Sequence, residues 1–152
     1  MKFINFLTFY GLSELNDLYL RNNQIKSIEK MSFSHFRNLT RHNFELDFQL
    51  IEHIDTDMFY GLDKIKYINF KDNKLRLIKN GTFSLLKNLD SLNLINNFIS
   101  TIDIDAFNGL INLKELFLEN NLLENLKKGL FLVLKNLKHL SLGLNKIANF
   151  VI

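Results

Sequence analysis

Short stretches in which apolar and polar residues alternate recur along this chain, and most of them end at an asparagine. The stretch LKELFLENNLLENLKKGLF, residues 113–131, shows the arrangement. Its first six residues follow the period of a half-buried strand, and the residues after the asparagine abandon that period. At positions 1, 4, 6, 9, 11, 14 and 19 of the unit stand Leu113, Leu116, Leu118, Asn121, Leu123, Leu126 and Phe131. The pattern predicts a short strand, a turn at the asparagine and an irregular return.

The same spacing occurs 24 residues earlier and again 24 residues before that. The earlier copies carry Leu89, Leu92, Leu94, Asn97, Ile99, Ile102 and Phe107, and Ile65, Ile68, Phe70, Asn73, Leu75, Ile78 and Phe83. Self-similarity at a fixed period predicts a repeat protein whose units are stable only when stacked. In such a stack the asparagines at position 9 are expected to form a ladder that binds backbone groups.

The repeat register predicts one domain over residues 1–152. It contains a partial repeat at 1–14, repeats that start near 15, 39, 65, 89 and 113, and a partial repeat over 137–152. The second repeat is irregular because two residues are inserted between Leu39 and Phe44, and because Gln49 replaces the turn asparagine. We expect a bulge there and a weakened ladder, since the longer glutamine side chain moves the amide away from the backbone.

The two ends of the chain have open interpretations. Residues 1–13 are compatible with a signal peptide, but Ile4, Phe9 and Leu12 fall on positions 14, 19 and 22 of a repeat, which favours a partial repeat. Those three residues should then leave a small apolar opening at the front. At the other end Leu142, Ile147 and Phe150 should form an uncovered apolar layer beside an unpaired strand edge, which predicts self-association through the solenoid ends.

The full pattern, LxxLxLxxNxIxxIxxxxFxxLxNL, resembles the 24-residue class of leucine-rich repeat in Toll-like receptors, Slit-type guidance proteins and small matrix proteoglycans. The phenylalanine at position 19 marks this class, and it is present as Phe9, Phe33, Phe59, Phe83, Phe107 and Phe131. The resemblance implies an α/β solenoid, a right-handed curved coil with a parallel sheet of short strands on its concave face. It also implies an extracellular or cell-surface location. The cysteine-rich caps usual in the class are missing, which suggests a fragment, a truncated gene product or an uncapped relative.

Candidate ligand-binding residues come from the positions that project from the concave sheet. Ile95 and Phe117 should lie diagonally across two neighbouring strands, with Tyr67 two strands from Phe117. Aromatic anchors in a polar rim are typical of protein interaction sites, although scattered surface residues would give the same pattern. The candidates are Tyr19, Tyr67, Lys71, Ile95, Lys114, Phe117 and Glu119.

Charge argues against nucleic acid as the partner, although the net charge is +3 and the pI is about 9.1. The concave positions carry fewer basic than acidic residues. The basic ones are Arg21, Lys66, Lys71, Lys114 and Lys138, and the acidic ones are Asp17, Glu45, Asp47, Asp72, Asp90, Glu115 and Glu119. The positive excess therefore lies on loops and on the convex side, unlike a phosphate-binding track.

No catalytic, cofactor or metal motif is present in the sequence. The chain has no cysteine, which excludes a disulfide framework and a thiolate metal site. The histidines show no HExxH spacing, and a site from His42, Glu45 and Asp47 has no specific ligand spacing. No apolar run approaches 18 residues, so direct membrane insertion is not expected.

Two N-glycosylation sequons occur, at Asn38 and at Asn80, and both fall outside the predicted strands. The high asparagine content makes two such matches expected by chance, so an extracellular and a cytoplasmic location both stay open. The functional prediction is a non-enzymatic recognition module that binds a protein ligand. The alternatives are a structural segment that stacks through its ends, and the recognition part of a larger enzyme such as a ubiquitin ligase.

Overall fold

The chain folds into a stack of short parallel strands. The computed structural model describes residues 2–36, 39 and 44–150. The strands within those residues are β1 (Phe3–Ile4), β2 (Leu18–Tyr19), β3 (Ser27–Ile28), β4 (Phe44–Glu45), β5 (Tyr67–Asn69), β6 (Leu77–Ile78), β7 (Ser91–Asn93), β8 (Thr101–Ile102), β9 (Glu115–Phe117), β10 (Asn125–Leu126), β11 (His139–Ser141) and β12 (Asn149–Phe150).

Six of these strands form one parallel sheet, in the order β2-β4-β5-β7-β9-β11. Each strand comes from the next turn of the chain, so sequence order and spatial order agree. The register aligns equivalent repeat positions: Tyr67 pairs with Ser91, Ser91 with Glu115, and Glu115 with His139. The predicted solenoid with a parallel sheet on one side is confirmed.

The opposite side of the solenoid is built from turns. Two-residue strands pair there as β1 with β3, β6 with β8, and β10 with β12. The only helix in the described part of the chain is a 3-10 turn, Thr56–Phe59. The return segments are too short for α-helices, because a repeat of 24 residues must fit a strand, a turn and two crossings of the core.

Adjacent turns approach closely at the glycine of the FYGL and FNGL sequences. Gly109 has a φ of +96°, and a Cβ built on it would lie 2.5 Å from the Ser84 Cα atom of the preceding turn. Gly61 meets the backbone of Phe33 and Ser34 in the same way. These glycines therefore set the spacing between turns on the return side, where no side chain can separate the backbones.

One continuous core runs through the stack, and it is filled by the predicted inward positions. Every position-19 phenylalanine from Phe9 to Phe107 is buried, and Phe131 is partly buried. Ring centroids lie 5.8 Å apart for Phe59 and Phe83, and 5.9 Å apart for Phe107 and Phe131. The phenylalanines thus form an aromatic spine that links one turn to the next.

The predicted asparagine ladder is present beside the sheet. The Asn97 amide donates to the Phe70 carbonyl of the preceding turn (3.0 Å) and to the Leu94 carbonyl of its own turn (3.1 Å). Its Oδ1 atom accepts a hydrogen bond from the Leu75 amide at 3.1 Å. Asn73 and Asn121 repeat the same bonds.

The expectation of a weakened ladder at Gln49 is wrong. Its amide donates to the Leu20 carbonyl at 2.6 Å and to the Asp47 carbonyl at 3.0 Å, and its Oε1 accepts from the Ile25 amide at 3.1 Å. The longer side chain therefore reaches the carbonyl of the preceding turn that an asparagine would reach. The inserted residues themselves, and with them the expected bulge, lie outside the described residues.

The first and last turns differ in how well their apolar residues are covered. Ile4 and Phe9 are buried, so the expected opening at the front is wrong for these two residues, whereas Leu12 is exposed. At the other end Leu142 and Ile147 are only partly buried, and Leu140, an inward position, is 40% exposed. The part of the predicted last layer formed by Leu142 and Ile147 is therefore incompletely covered, whereas the Phe150 side chain lies outside the described residues.

Candidate functional site

The solvent side of the six-stranded sheet carries its side chains in rows that cross the strands. One row contains Tyr67, Ser91, Glu115 and His139. A second contains Tyr19, Glu45, Asn69, Asn93, Phe117 and Ser141. A third lies just past the strand ends and contains Arg21, Asp47, Lys71, Ile95 and Glu119. Because each inner strand is hydrogen-bonded to both of its neighbours, the rows form a rigid platform.

Asn93 on β7 lies between the members of the predicted patch, with Tyr67 on β5, Ile95 just past the end of β7 and Phe117 on β9. Phe117 is the register partner of Asn93, and Ile95 lies two residues further along, which makes it the diagonal neighbour of Phe117. The Asn93 side chain lies close enough to the Tyr67 hydroxyl to oppose the rise of its pKa, and its Oδ1 accepts from the Ile95 amide at 3.0 Å. All four side chains are half-buried. Asn93 was missed in the sequence because it looks like any polar residue on a strand.

The other candidate residues lie at different distances from this patch. Lys71 and Lys114 face acidic neighbours, with Nζ to carboxylate distances of 3.9 Å to Asp72 and 3.1 Å to Asp90. Glu119 occupies the same row as Ile95 in the next turn. Tyr19 is 61% exposed and lies in β2, four strands from Phe117 in the sheet order. The spacing of strands puts Tyr19 about 19 Å from Phe117 and about 10 Å from Tyr67 across the sheet, so the structure does not bring it together with Phe117.

Carboxylates surround Tyr67. Burial raises the pKa of the Tyr67 hydroxyl above its ordinary value of 10.0, the Asn93 hydrogen bond opposes that rise, and the charges of Glu45, Asp47 and Glu115 add to it. These three carboxylates therefore lie within electrostatic reach of one hydroxyl group. The sheet face beside the apolar patch is acidic, in agreement with the charge pattern in the sequence.

Two buried polar atoms of this face have no hydrogen-bond partner among the described residues: Asp47 Oδ1 and Ser91 Oγ. The Asp47 side chain is only 4% exposed, and its other oxygen pairs with Arg21 Nε at 3.1 Å. The Arg21 guanidinium lies over the Phe48 ring, 5.1 Å from its centroid. The Asp47 carboxylate is therefore held in place on one side and unsatisfied on the other.

A second row of amides runs along the flank of the sheet. The Asn120 amide donates to Asn96 Oδ1 at 3.0 Å, and the Asn96 amide donates to Asp72 Oδ1 at 2.8 Å. All three residues have left-handed backbone, with φ between 51° and 56°. They line a groove of about 350 Å³ together with Phe98 and Leu122. Its polar groups bond one another, so the groove is a structural feature of the turn.

The Asn80 sequon lies on an exposed turn of the return side. Asn80 Oδ1 accepts from the Asp105 amide at 3.1 Å, and the Thr82 hydroxyl donates to the Lys79 carbonyl at 2.9 Å. The Asn80 residue is exposed, so the amide nitrogen to which a glycan bonds is accessible. The other sequon residue, Asn38, lies outside the described residues.

Histidine chemistry finds no support in the described part of the chain. No cluster of three His, Cys, Asp or Glu side chains that could hold a metal ion occurs there, and His42, a member of the metal alternative, lies outside it. His35 packs between Phe6 and Tyr10, with ring centroids 4.6 Å and 5.1 Å away. Within residues 2–36, 39 and 44–150 no helix has the length and apolar character needed to cross a membrane.

Stacked parallel strands, an amide ladder at position 9 of the repeats and an aromatic spine define a repeat solenoid with an open sheet face. A sequence model described as leucine rich repeat matches residues 2–41, 42–99 and 87–147. The chain belongs to the leucine-rich repeat family, and its repeats resemble those of Toll-like receptors.

A solved structure supports the same assignment. The chain is similar to TLR13 in the crystal structure of a TLR13-ssRNA13 complex, with a TM-score of 0.78 and 32% sequence identity. The match covers 97% of this chain and 24% of the TLR13 chain, so the chain spans about a quarter of that protein's length. The comparison with curated proteins gave no match. Leucine-rich repeat solenoids of this kind serve in general as recognition modules.

Proposed function

We propose that this chain recognises a protein ligand through the sheet face centred on Tyr67, Ile95 and Phe117, as the recognition part of an extracellular or cell-surface receptor-like protein. The proposal rests on the burial of these three side chains and on their position on the sheet. They are half-buried on the outer face of the sheet, on or just past inner strands that are hydrogen-bonded on both sides, so they present a fixed apolar surface to solvent. Such preorganised aromatic and aliphatic anchors contribute most of the energy in protein interfaces.

The polar surroundings of the patch support a protein ligand. Asn69 and Asn93 use their Oδ1 atoms to accept from the Lys71 and Ile95 amides, each at 3.0 Å. The Lys71 and Ile95 amides beside the patch are therefore satisfied within the chain, and binding does not require them to lose water. A surface of this kind matches the apolar centre and polar rim of an interface.

Nucleic acid is the competing ligand class, because the similar TLR13 structure contains single-stranded RNA. On the sheet face of this chain Arg21 pairs with Asp47 and Lys114 with Asp90. Around Tyr67 the charges are negative, which repels phosphate. The charge pattern therefore favours a protein over RNA at this face.

A binding screen tests the proposal. The purified chain, immobilised through one terminus, would be screened against a panel of purified secreted proteins and against a single-stranded oligoribonucleotide. For the protein that binds, Phe117→Ala should weaken the affinity about 30-fold or more, the loss typical of an interface hot spot, with an unchanged circular dichroism spectrum. The matched control removes two exposed charges of the return side, Lys127→Ala with Lys128→Ala. Binding that depends on these lysines but not on Phe117, or binding of the RNA alone, would overturn the proposal.

The location is tested through the accessible sequon. When the chain is expressed behind a secretion signal, Asn80 should carry a glycan, and Asn80→Gln should lower the mass by one glycan. A chain without glycan at Asn80 would favour the cytoplasmic alternative, which includes the recognition part of an enzyme such as a ubiquitin ligase.

The open last turn favours a second candidate, assembly through the solenoid ends. Leu140 is 40% exposed where the inward positions of central turns are buried, and apolar groups near a strand edge promote pairing with another chain. Light scattering should show an oligomer that Leu140→Lys converts to a monomer. A wild-type monomer at high concentration would exclude this assembly.

A further inference from the structure

A basic flank lies beside the sheet, at the side where the chain enters the strands. It consists of the four residues that directly precede each of the strands β5, β7, β9 and β11, which are residues 63–66, 87–90, 111–114 and 135–138. Its charged residues are six lysines and two aspartates: Lys64, Lys66, Lys87, Lys114, Lys135, Lys138, Asp63 and Asp90. This excess of four positive charges is larger than the net charge of the whole chain, +3. The positive excess of the protein is therefore concentrated on the flank.

The first column of the flank contains Lys66, Asp90, Lys114 and Lys138. Each backbone amide donates to the carbonyl of the column member one turn earlier, at 2.8 Å in all three pairs. Neighbouring members are therefore about 4.8 Å apart, the spacing of strands in a sheet. Because these residues stand directly before the strands, they border the sheet face, and the column repeats charges at the spacing of the turns.

A second column runs parallel to the first and is held by asparagine side chains. It contains Asp63, Lys87, Ile111 and Lys135. The side-chain amides of Asn88, Asn112 and Asn136 each donate to the carbonyl of a column member one turn earlier, at 2.8–2.9 Å. No described residue donates to the Oδ1 atoms of these asparagines, so the flank presents hydrogen-bond acceptors between its lysines.

Three lysines of the flank have no carboxylate partner in the described part of the chain. Lys87, Lys135 and Lys138 are exposed, and none of them forms an ion pair there. Lys114 differs, because its Nζ atom lies 3.1 Å from the Asp90 carboxylate. An anionic ligand at the other three lysines therefore displaces no internal ion pair.

We propose that the basic flank binds a linear sulfated polysaccharide, which runs along the stack across successive turns. Sulfate groups accept hydrogen bonds from the lysine ammonium groups, and sugar hydroxyls donate to the asparagine Oδ1 atoms. Lysine-rich surface strips are typical of sites for nucleic acid and for heparin-like polymers. The flank lies beside the patch of Tyr67, Ile95 and Phe117, so it is a second binding site for a different class of ligand.

Single-stranded RNA fits the flank less well than a sulfated sugar does. Proteins that bind single strands combine a basic groove with aromatic side chains on which the bases stack, and none of the sixteen flank residues is aromatic. The phosphate groups of the RNA backbone also carry no donor for the asparagine oxygens. RNA is therefore the competing outcome of the test.

Calorimetric titration of the purified chain with a heparin octasaccharide tests the proposal. The octasaccharide should bind, and its affinity should fall steeply as the salt concentration rises, because bound lysines release counterions from a polyanion. The comparison ligands are an unsulfated heparosan oligosaccharide of the same length and a single-stranded oligoribonucleotide of similar length. Both should bind at least tenfold more weakly than the octasaccharide, as expected for a site that selects sulfate groups and sugar hydroxyls.

Two triple variants locate the binding. Lys87→Gln with Lys135→Gln and Lys138→Gln should weaken the octasaccharide at least tenfold, as expected for the loss of three charge-assisted contacts. The matched control combines Lys26→Gln, Lys128→Gln and Lys146→Gln. These lysines are also exposed and form no ion pair with a described residue, but they lie outside the flank. The control should change the affinity less than about twofold, because salt screens charges that do not contact the polymer.

Two single variants should strengthen the binding, a result that misfolding cannot produce. Ile111 interrupts the second column and is 51% exposed, so Ile111→Lys adds a positive charge between Lys87 and Lys135. Asp90→Asn removes the carboxylate that pairs with Lys114. Each variant should raise the affinity about two- to fivefold, the range of one exposed charge pair.

Three results would overturn the inference: no binding of the octasaccharide at low salt, an equal loss of affinity in the two triple variants, or binding of the RNA as tight as that of the octasaccharide. Failure here is separate from failure of the proposed function, because Tyr67, Ile95 and Phe117 are unchanged in every variant. A protein ligand that depends on Phe117 would retain the apolar patch and reject only the polysaccharide site.

Discussion

Phe83 and Phe107 lie face to face in consecutive turns, with ring centroids 6.3 Å apart and ring planes 5° from parallel. Both side chains are fully buried. Each ring fills the space behind its own strand and forms the floor for the next turn. The stacking therefore couples neighbouring repeats, which a side chain buried within a single turn does not do.

Phe107→Ala should lower the free energy of unfolding by about 3–5 kcal/mol, because it leaves a ring-sized cavity between two turns. Chemical denaturation followed by circular dichroism measures the loss. Phe117→Ala, on the solvent side of the sheet, is the control and should cost far less. A loss below about 1 kcal/mol for Phe107→Ala would contradict the packed spine, since Phe→Ala in a core costs several times that amount.

Gly109→Ala should destabilise the solenoid more than Gly81→Ala does. Both glycines have positive φ, but a Cβ at Gly109 would lie 2.5 Å from Ser84 Cα, whereas a Cβ at Gly81 meets nothing within 4 Å. The left-handed backbone costs each alanine about 1–2 kcal/mol, and overpacking adds about 1–3 kcal/mol at Gly109 alone. Denaturation midpoints of the two variants isolate the contact between turns. Equal losses would mean that the turns can separate without cost at this point.

Leu144→Asn should stabilise the protein. Leu144 has a φ of 55°, and it is 81% exposed, so it gives little burial in return for the strain. The equivalent residues Asn22, Asn96 and Asn120 adopt the same backbone, and asparagine tolerates it far better than leucine. We expect a gain of about 1 kcal/mol in thermal or chemical denaturation. Leu132→Asn, at a leucine that is 69% exposed and has no positive φ, should give no comparable gain.

Stability should fall above pH 10 through Tyr67. Its pKa is raised in the folded chain above the ordinary value of 10.0, so ionisation is harder in the folded than in the unfolded state. The contribution is fully present below pH 10 and is lost as the pH rises through the folded pKa. Ultraviolet titration should show the last tyrosine transition disappear in Tyr67→Phe and persist in Tyr60→Phe. A last transition that survives in Tyr67→Phe would contradict the raised pKa of the Tyr67 hydroxyl.

The inward residues could be predicted from the sequence because the repeat period fixes them directly. In the central turns, from Ile65 to Leu126, each apolar position of the repeat consensus (1, 4, 6, 11, 14, 19 and 22) is buried. The prediction at Gln49 failed for a physical reason. The turn before it is two residues longer, and its amide reaches back 29 residues to Leu20 where Asn73 reaches back 27 to Leu46. The longer Gln49 side chain therefore bonds the same group as an asparagine would, the carbonyl at position 6 of the preceding turn.

The candidate site was only partly accessible to sequence reasoning. The register places Ile95 diagonal to Phe117 as predicted, because the parallel pairing follows from the repeat. The role of Asn93 depends on a side-chain hydrogen bond to the Ile95 amide, which periodicity does not encode. The left-handed turn had a usable signal in the Asn-Asn pairs at 22–23, 96–97 and 120–121, since asparagine is the non-glycine residue that favours this backbone.

Because of the asparagine ladder, the two ends of the solenoid should respond differently to a pulling force. Each position-9 amide bonds its own turn and the turn before it, as Asn97 bonds the Leu94 carbonyl of its own turn and the Phe70 carbonyl and Leu75 amide of the preceding turn. When the carboxyl end is pulled along the stack, every turn except the last folded one is still held by the asparagine that follows it. The force therefore breaks the bonds of one asparagine at a time. When the bonds of one ladder asparagine break, one regular repeat of 24 residues is released, which is about 80 Å of extended chain. The molecule should therefore lengthen in steps, one repeat at a time, while the turns that are still folded keep their strand register.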